Sequence, residues 1–267
     1  MAHIHINLFS TCLMRTVSVN AFIPMDKIVT PGTAAREKKP FKTLYLLHGI
    51  FGNHNDWLNN TRVCTWAEER DLAIIMPSGE NRFYVDNACS GERFGEFIGR
   101  ELVAMTRELL PLSDKREDTY IAGLSMGGYG AVRNGLKYHD TFACVAGLSS
   151  AFILDKVVGA GEDAPWFTHR RSYYQSILGD LGAVQGSDND HKALVDRILA
   201  AKAKMPALYL GCGMDDAFIE CNRDFHEFLS GRGVEHTWNE GSGGHTWDYW
   251  DEHILKVLNW LPLEKKA

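Results

Sequence analysis

At 267 residues and 45% hydrophobic content the chain is long enough to bury a sizeable core, and Lys+Arg 28 against Asp+Glu 34 leaves a net charge of −6. No basic block stands ready to capture a polyphosphate, so nucleic acid is not expected as a partner. Cys12, Cys64, Cys89, Cys144, Cys212 and Cys221 show no CxxC pair or metal-ligand spacing, and no apolar run approaches the ~18 residues of a spanning helix, so neither a metal nor a membrane is expected. They read as reduced thiols in a soluble cytoplasmic protein, since the opening "MAHIHINLFSTCLMR" lacks a charged leader and a continuous apolar stretch.

Two alternating segments come first, "HIHINLFS" and "MRTVSVNAFIP", joined by a short "TCL" connection, and their period of two predicts an antiparallel pair. On such a strand His3 and His5 share one exposed face and are not read as metal ligands. Short apolar runs then alternate with stretches of helical spacing: "TLYLL" (43–47), "LAIIM" (72–76), "TYIAGL" (119–124), "FACVAGL" (142–148) and "ALYLG" (207–211). That alternation predicts an α/β fold with a mostly parallel sheet covered on both faces. Phe94, Ile98, Leu102, Met105 and Leu109 form one helical stripe, and Phe218, Asn222, Phe225 and Leu229 another. Residues 149–205, 57 positions between the fourth and fifth of those runs, exceed a single crossover helix and predict a lid-like insertion. Within it "APWFTHRRSYYQSIL" concentrates Trp166, Phe167, Tyr173 and Tyr174, which suit an acyl or aromatic pocket or a contact in a homo-oligomer. Nothing splits 1–267 into two domains.

"TYIAGLSMGGYG" carries the chemistry. Gly123-Leu124-Ser125-Met126-Gly127 fits G-x-S-x-G after a strand-like run and before a helical one, the context a nucleophile elbow needs. A serine hydroxyl is a poor nucleophile without a histidine base and a carboxylate to orient it, and in this architecture they follow in the order acid, histidine. "CGMDDAF" offers Asp215 and Asp216 beyond one strand, and spacing leaves the choice between them open. "NEGSGGHTWDYW" places His245 in a glycine-rich loop after the strand-like "VEHTW", whereas the only later histidine, His253, lies inside a helical pattern. His245 is the expected base. The oxyanion hole then needs the backbone N–H of Met126 and a second donor from an early strand's loop; "LLHGIFGNHNDW" supplies it, with Ile50 as candidate and His48 as a brace.

The ordered motifs "YLLHGIFGNHNDW", "MPSGENRFYVDN", "GERFGEFIGRELV", "YIAGLSMGGYGAVRNGLKYHDTFACVAGLSSA", "GCGMDDAFIECNRDFHEFL" and "GGHTWDYWDEHI" resemble the esterase D-like branch of the α/β-hydrolases. That branch includes tributyrin, acetyl and feruloyl esterases, S-formylglutathione hydrolases and antigen 85 mycolyltransferases, and the likeness is closest to the small intracellular tributyrin-esterase type. The resemblance implies Asp216 as the acid, a second oxyanion donor matching Ile50, and a substrate contact at Trp166. It implies no cofactor and no metal. "PSGENRFYVDN" lacks most of the tryptophan and tyrosine landmarks usual in S-formylglutathione hydrolases, which counts against a glutathione thioester.

The expectation is thus a serine carboxylesterase on short-chain esters, acetyl to butyryl, extending to feruloyl esters or acetylated sugars, with Ser125, Asp216 and His245 as triad. Thioesterase or acyltransferase chemistry with the same triad is the alternative, ahead of a non-catalytic binding module.

Overall fold

A computed structural model describes residues 2–27 and 39–263. Their eight strands form one sheet in the order β1-β2-β4-β3-β5-β6-β7-β8, in which β1/β2 and β2/β4 pair antiparallel and the remaining neighbours pair parallel. The strands are β1 (Ala2–Ser10), β2 (Arg15–Ile23), β3 (Lys42–Leu47), β4 (Leu72–Pro77), β5 (Thr119–Leu124), β6 (Cys144–Leu148), β7 (Ala207–Gly213) and β8 (His236–Gly241). The α/β architecture with a mostly parallel sheet, read from the alternation, is the one observed. The N-terminal pair closes through Thr11–Met14, one residue longer than "TCL", because Met14 turns the chain with a left-handed φ of 52°.

Helices cover both faces. On one lie α1 (Asp56–Asn60), α2 (Val63–Glu69) and the C-terminal helix, and their Trp57, Trp66 and Val63 meet Leu44, Leu46, Tyr120 and Leu124. The other holds α3 (Phe94–Glu96), α4 (Leu102–Leu109) and α5 (Met126–Lys137), where Phe94, Val132 and Leu136 join Tyr45, Leu47 and Ile121. Successive strand residues thus point to opposite cores, which is why the runs read as continuously apolar.

Between β6 and β7 come α6 (Leu154–Val158), α7 (Arg171–Leu178) and α8 (His191–Ala200); α9 (Ile219–Gly231) and α10 (Trp247–Trp260) follow. Leu194, Val195 and Ile198 of α8 join the core beside α5 in the manner of an ordinary crossover helix. Leu154, Val157, Tyr174 and Ile177, earlier in the same stretch, are buried in that core as well.

Two stripes differ in detail from their sequence reading. A π-turn over Phe97–Glu101 widens the helix between α3 and α4, so Val103 and Thr106 turn inward while Leu109 is 59% exposed. Glu101, at the end of that turn, accepts a hydrogen bond from the Thr11 N–H at 2.7 Å and ties the N-terminal hairpin down. Asn222 faces the core despite its polarity, because its amide donates to the carbonyls of Ser150 and Phe218 at 2.8 Å each. Among the described residues no helix is long and apolar enough to cross a membrane.

Candidate active site

Ile50, Ser125, Met126, Asp216 and His245 all lie just past the carboxyl ends of parallel strands, where open α/β sheets build their sites. Ser125 ends β5 and opens α5 with φ 53° and ψ −119°, a conformation costly for a residue with a Cβ. The turn closes only because its flanks lack side chains. A Cβ on Gly123 would lie 2.3 Å from the Gly127 carbonyl oxygen, and one on Gly127 would lie 2.5 Å from the carbonyl oxygens of Leu47 and His48. The Ser125 N–H donates to the Leu148 carbonyl at 2.9 Å, and its own carbonyl accepts from Ala151 at 3.0 Å, so neighbouring strand ends hold the turn.

His245 follows β8 and Asp216 follows β7, and the fold brings both to the serine. His245 Nε2 is 3.0 Å from Ser125 Oγ, and His245 Nδ1 is 2.9 Å from Asp216 Oδ2. The Asp216 side chain is fully buried, while that of His245 is 32% exposed. Burial alone would raise the Asp216 carboxyl, but hydrogen bonds from His245, the Phe218 N–H and Ser149 outweigh it and hold the group below its ordinary value. It is a carboxylate at neutral pH. Asp215 is exposed and enters through its backbone, its N–H donating to Gly243 at 3.0 Å.

Four further residues shape the imidazole site, and the sequence reading assigns none of them that role. Ser149 sits at φ 47° past β6; its hydroxyl serves Asp216 and accepts from Trp250 Nε1 at 3.1 Å. Trp250 stands edge-on to the His245 ring at 4.7 Å and Phe218 flanks it at 5.2 Å. Asn222 binds the backbone of Ser150 in both directions and so steadies the loop carrying Ser149. These contacts depend on strand order, which a serine in "GLSSA" does not announce.

Ile50 lies in the loop after β3 and Met126 is the first residue of α5, whose opening N–H groups have no intrahelical acceptor. Gly49 sits against the elbow: a Cβ there would be 3.6 Å from the Ser125 Cβ. His48 is buried and both its nitrogens are engaged. Nε2 accepts from the Gly79 N–H at 2.8 Å, which puts the proton on Nδ1, where it is donated to the Gly49 carbonyl at 2.7 Å. Burial pushes its pKa below the ordinary histidine value, so it is a neutral brace with no lone pair left for base chemistry.

Trp166, between α6 and α7, has 65% of its surface exposed, and the ring that reaches the Ile50 loop is its neighbour Phe167, 6.1 Å from Phe51. His3 and His5 are exposed on β1, His5 Nδ1 lying 3.1 Å from Asn20 Oδ1. His253 is buried within α10 against the Tyr249 carbonyl. Among the described residues no group of three or more His, Cys, Asp or Glu side chains is arranged to hold a metal ion.

A serine hydrogen-bonded to an imidazole that a buried carboxylate orients, beside backbone donors at a helix start, is an arrangement that performs acyl transfer. The Esterase family model matches residues 24–261. The chain belongs to that family. This esterase is 41% identical to an acetyl esterase of Caldicellulosiruptor saccharolyticus over 98% of both chains. Among solved structures it resembles a fluorophosphonate-binding serine hydrolase of Staphylococcus aureus, with TM-score 0.85, 31% identity and 97% and 98% of the two chains covered. An S-formylglutathione hydrolase of the same organism gives TM-score 0.83 at 31% identity, again over 97% and 98%. A ferulic acid esterase at TM-score 0.72 and 23% identity shares the fold. The chain is a carboxylic ester hydrolase of the serine type.

Proposed function

We propose that this esterase hydrolyses short-chain acyl esters, acetyl esters first, through an acyl-enzyme at Ser125. His245 Nε2 takes the hydroxyl proton as Ser125 Oγ attacks the ester carbonyl, and the N–H groups of Ile50 and Met126 receive the oxyanion. The imidazolium returns the proton to the departing alkoxide. Water, activated by the same imidazole, then releases the acid and restores Ser125. Asp216 holds the Nδ1–H tautomer throughout.

The observation that carries this reading is the unbroken chain from Ser125 Oγ to His245 to Asp216, at 3.0 and 2.9 Å, with Asp216 kept ionised. The acetyl esterase relative supports the acyl preference. Trp166 and Phe167, at the insertion's side of the rim, suit contact with the remainder of the substrate, and 149–205 is read as a lid on a single domain. All six cysteines are unpaired, which supports work in the reducing cytoplasm.

The test is a panel of p-nitrophenyl esters from acetyl to decanoyl, with methyl ferulate and S-formylglutathione added, on the wild type and Ser125→Ala. The expected result is a maximum at acetyl to butyryl, a fluorophosphonate adduct on Ser125, and loss of both in the variant. The likeness to an S-formylglutathione hydrolase makes the thioester the second reading. A kcat/KM for the thioester well above that for any oxygen ester would establish it instead.

A further inference from the structure

We propose that Asn81 is a positioning residue for the oxyanion hole and that it links the hole to the insertion through Tyr173. The inference rests on the esterase reading above, with Ile50 as a donor.

Aiming the Ile50 N–H requires fixing the peptide that contains it and the peptide that follows. The first joins Gly49 to Ile50, and its carbonyl accepts the His48 Nδ1–H at 2.7 Å, which fixes the Ile50 N–H on the opposite side of the same plane. The second joins Ile50 to Phe51, and its N–H donates to Asn81 Oδ1 at 2.8 Å. Two peptide planes held from outside leave Ile50 no freedom in φ or ψ. The second hold is needed because Phe51 has φ 68°, a left-handed conformation that a bulky residue leaves unless its surroundings enforce it. No glycine relieves that position, and with Phe51 59% exposed its constraints are the Asn81 bond, the Phe167 ring and the 3.3 Å bond from the Gly52 N–H to the Gly49 carbonyl.

Asn81 belongs to the loop after β4, which cradles the β3 loop along its length. Gly79 donates to His48 Nε2 at 2.8 Å, Tyr84 donates its hydroxyl to the His48 carbonyl at 3.0 Å, and Asn81 completes the set. Glu80, Phe83 and Tyr84 in this loop also have left-handed φ values of 49°, 53° and 58°. Such a run of strained residues survives only where the fold over-determines it.

On its other side Asn81 faces the segment before α8. Its backbone carbonyl accepts the Tyr173 hydroxyl at 2.9 Å, from the first turn of α7. The Tyr173 ring meets Phe167 edge-on at 5.5 Å, and Phe167 reaches Phe51 at 6.1 Å, closing a ring of contacts that passes through both loops and the insertion. A substrate that presses on the Phe51 and Phe167 rings therefore bears on the segment that aims Ile50.

The experiment compares wild type, Asn81→Ala and Tyr173→Phe on p-nitrophenyl acetate, measuring kcat and KM separately, the bimolecular rate of fluorophosphonate inactivation, and Tm. Removing an oxyanion donor outright costs about 10²–10³-fold in kcat. Loosening one costs part of that, so Asn81→Ala is expected to lose about 10-fold or more in kcat with KM within twofold, and to be phosphonylated correspondingly more slowly. Tyr173→Phe, which keeps the ring, is expected to lose about two- to fivefold in the same sense with Tm nearly unchanged. A kcat within twofold of wild type in folded Asn81→Ala overturns the proposal, as does a loss confined to KM. If Asn81→Ala does not fold, an unchanged Tyr173→Phe in kcat and phosphonylation overturns it. Failure of the wild type to label at Ser125 would instead sink the esterase reading itself.

Discussion

The two ends of the parallel strands are built on different terms. At the carboxyl ends, Phe51, Glu80, Phe83, Tyr84, Ser125 and Ser149 all adopt left-handed φ values without being glycine. Elsewhere among the described residues only Met14, Asp71 and Lys202 do so, each closing a surface turn. Each such residue costs about 1–3 kcal/mol. The all-buried β5 and its two flanking cores are what make that strain sustainable. Strain is concentrated where groups must be aimed, and the rest of the sheet is relaxed.

Mutations at the two ends should therefore fail differently. Ser125→Ala is expected to lower kcat by about 10⁶-fold, as for a triad serine, with Tm unchanged or slightly raised. Residual turnover near the wild-type rate would remove the rim from catalysis altogether. Asp216→Asn should cost about 10⁴-fold in kcat by stabilising the wrong imidazole tautomer, with the ester KM little changed. Because Asp216 is held below its ordinary carboxyl value, acid inactivation of the wild type above about pH 4 should not report its protonation; a pH–rate profile of kcat/KM checks this.

Gly127→Ala probes packing at the rim, since the new methyl would meet two backbone carbonyls that side-chain motion cannot clear. A loss of about 3 kcal/mol in denaturant unfolding is expected, together with loss of activity. A stable, active variant would show that the elbow is not tightly enclosed.

Away from the rim the effects should appear in stability alone. His191, buried against Phe152 at 4.3 Å and Phe225 at 4.6 Å, has its pKa pushed down by burial to about 4. The unfolded chain takes up that proton more readily, so the contribution is complete above about pH 6.5 and is lost as pH falls from there toward 4. On the order of 3 kcal/mol should disappear across that window in wild type and be retained in His191→Phe, read from unfolding midpoints.

The smallest effect belongs to the hairpin. Burial alone would raise the Glu101 carboxyl, but hydrogen bonds from Ser10, Thr11 and Cys12 keep it below its ordinary value. Its contribution is present above the ordinary carboxyl range and fades as pH falls through the lowered value. Partly exposed, it should be worth about 1 kcal/mol, so Glu101→Gln should shift the unfolding midpoint slightly at pH 7 and leave kcat untouched.

Much of this organisation is local enough to read from residues alone. A strand between two cores must be apolar along its whole length, so the runs at 43–47, 72–76, 119–124, 142–148 and 207–211 announce a covered parallel sheet. Gly123 and Gly127 announce a turn whose crowding excludes any Cβ, and the order Ser125, Asp216, His245 follows the strand ends on which they sit. The helical stripe failed at Leu109 because a single π-turn, which has no sequence signature, rotated the face. The resemblance points to Trp166 as a substrate contact, whereas which aromatic of that stretch meets Phe51, here Phe167, depends on backbone direction.

Composition and periodicity determined the architecture, the elbow and the types of residue that serve it, because hydrophobic alternation and glycine sterics act over a few neighbouring positions. Spacing leaves Asp215 and Asp216 open and the resemblance points to Asp216; only the tertiary structure decided that Ser149 and Trp250 stand behind that carboxylate and that Asn81 holds the Phe51 amide. Those contacts join residues brought together by strand order, and their energies arise from burial and hydrogen-bond geometry that no local pattern of side chains encodes.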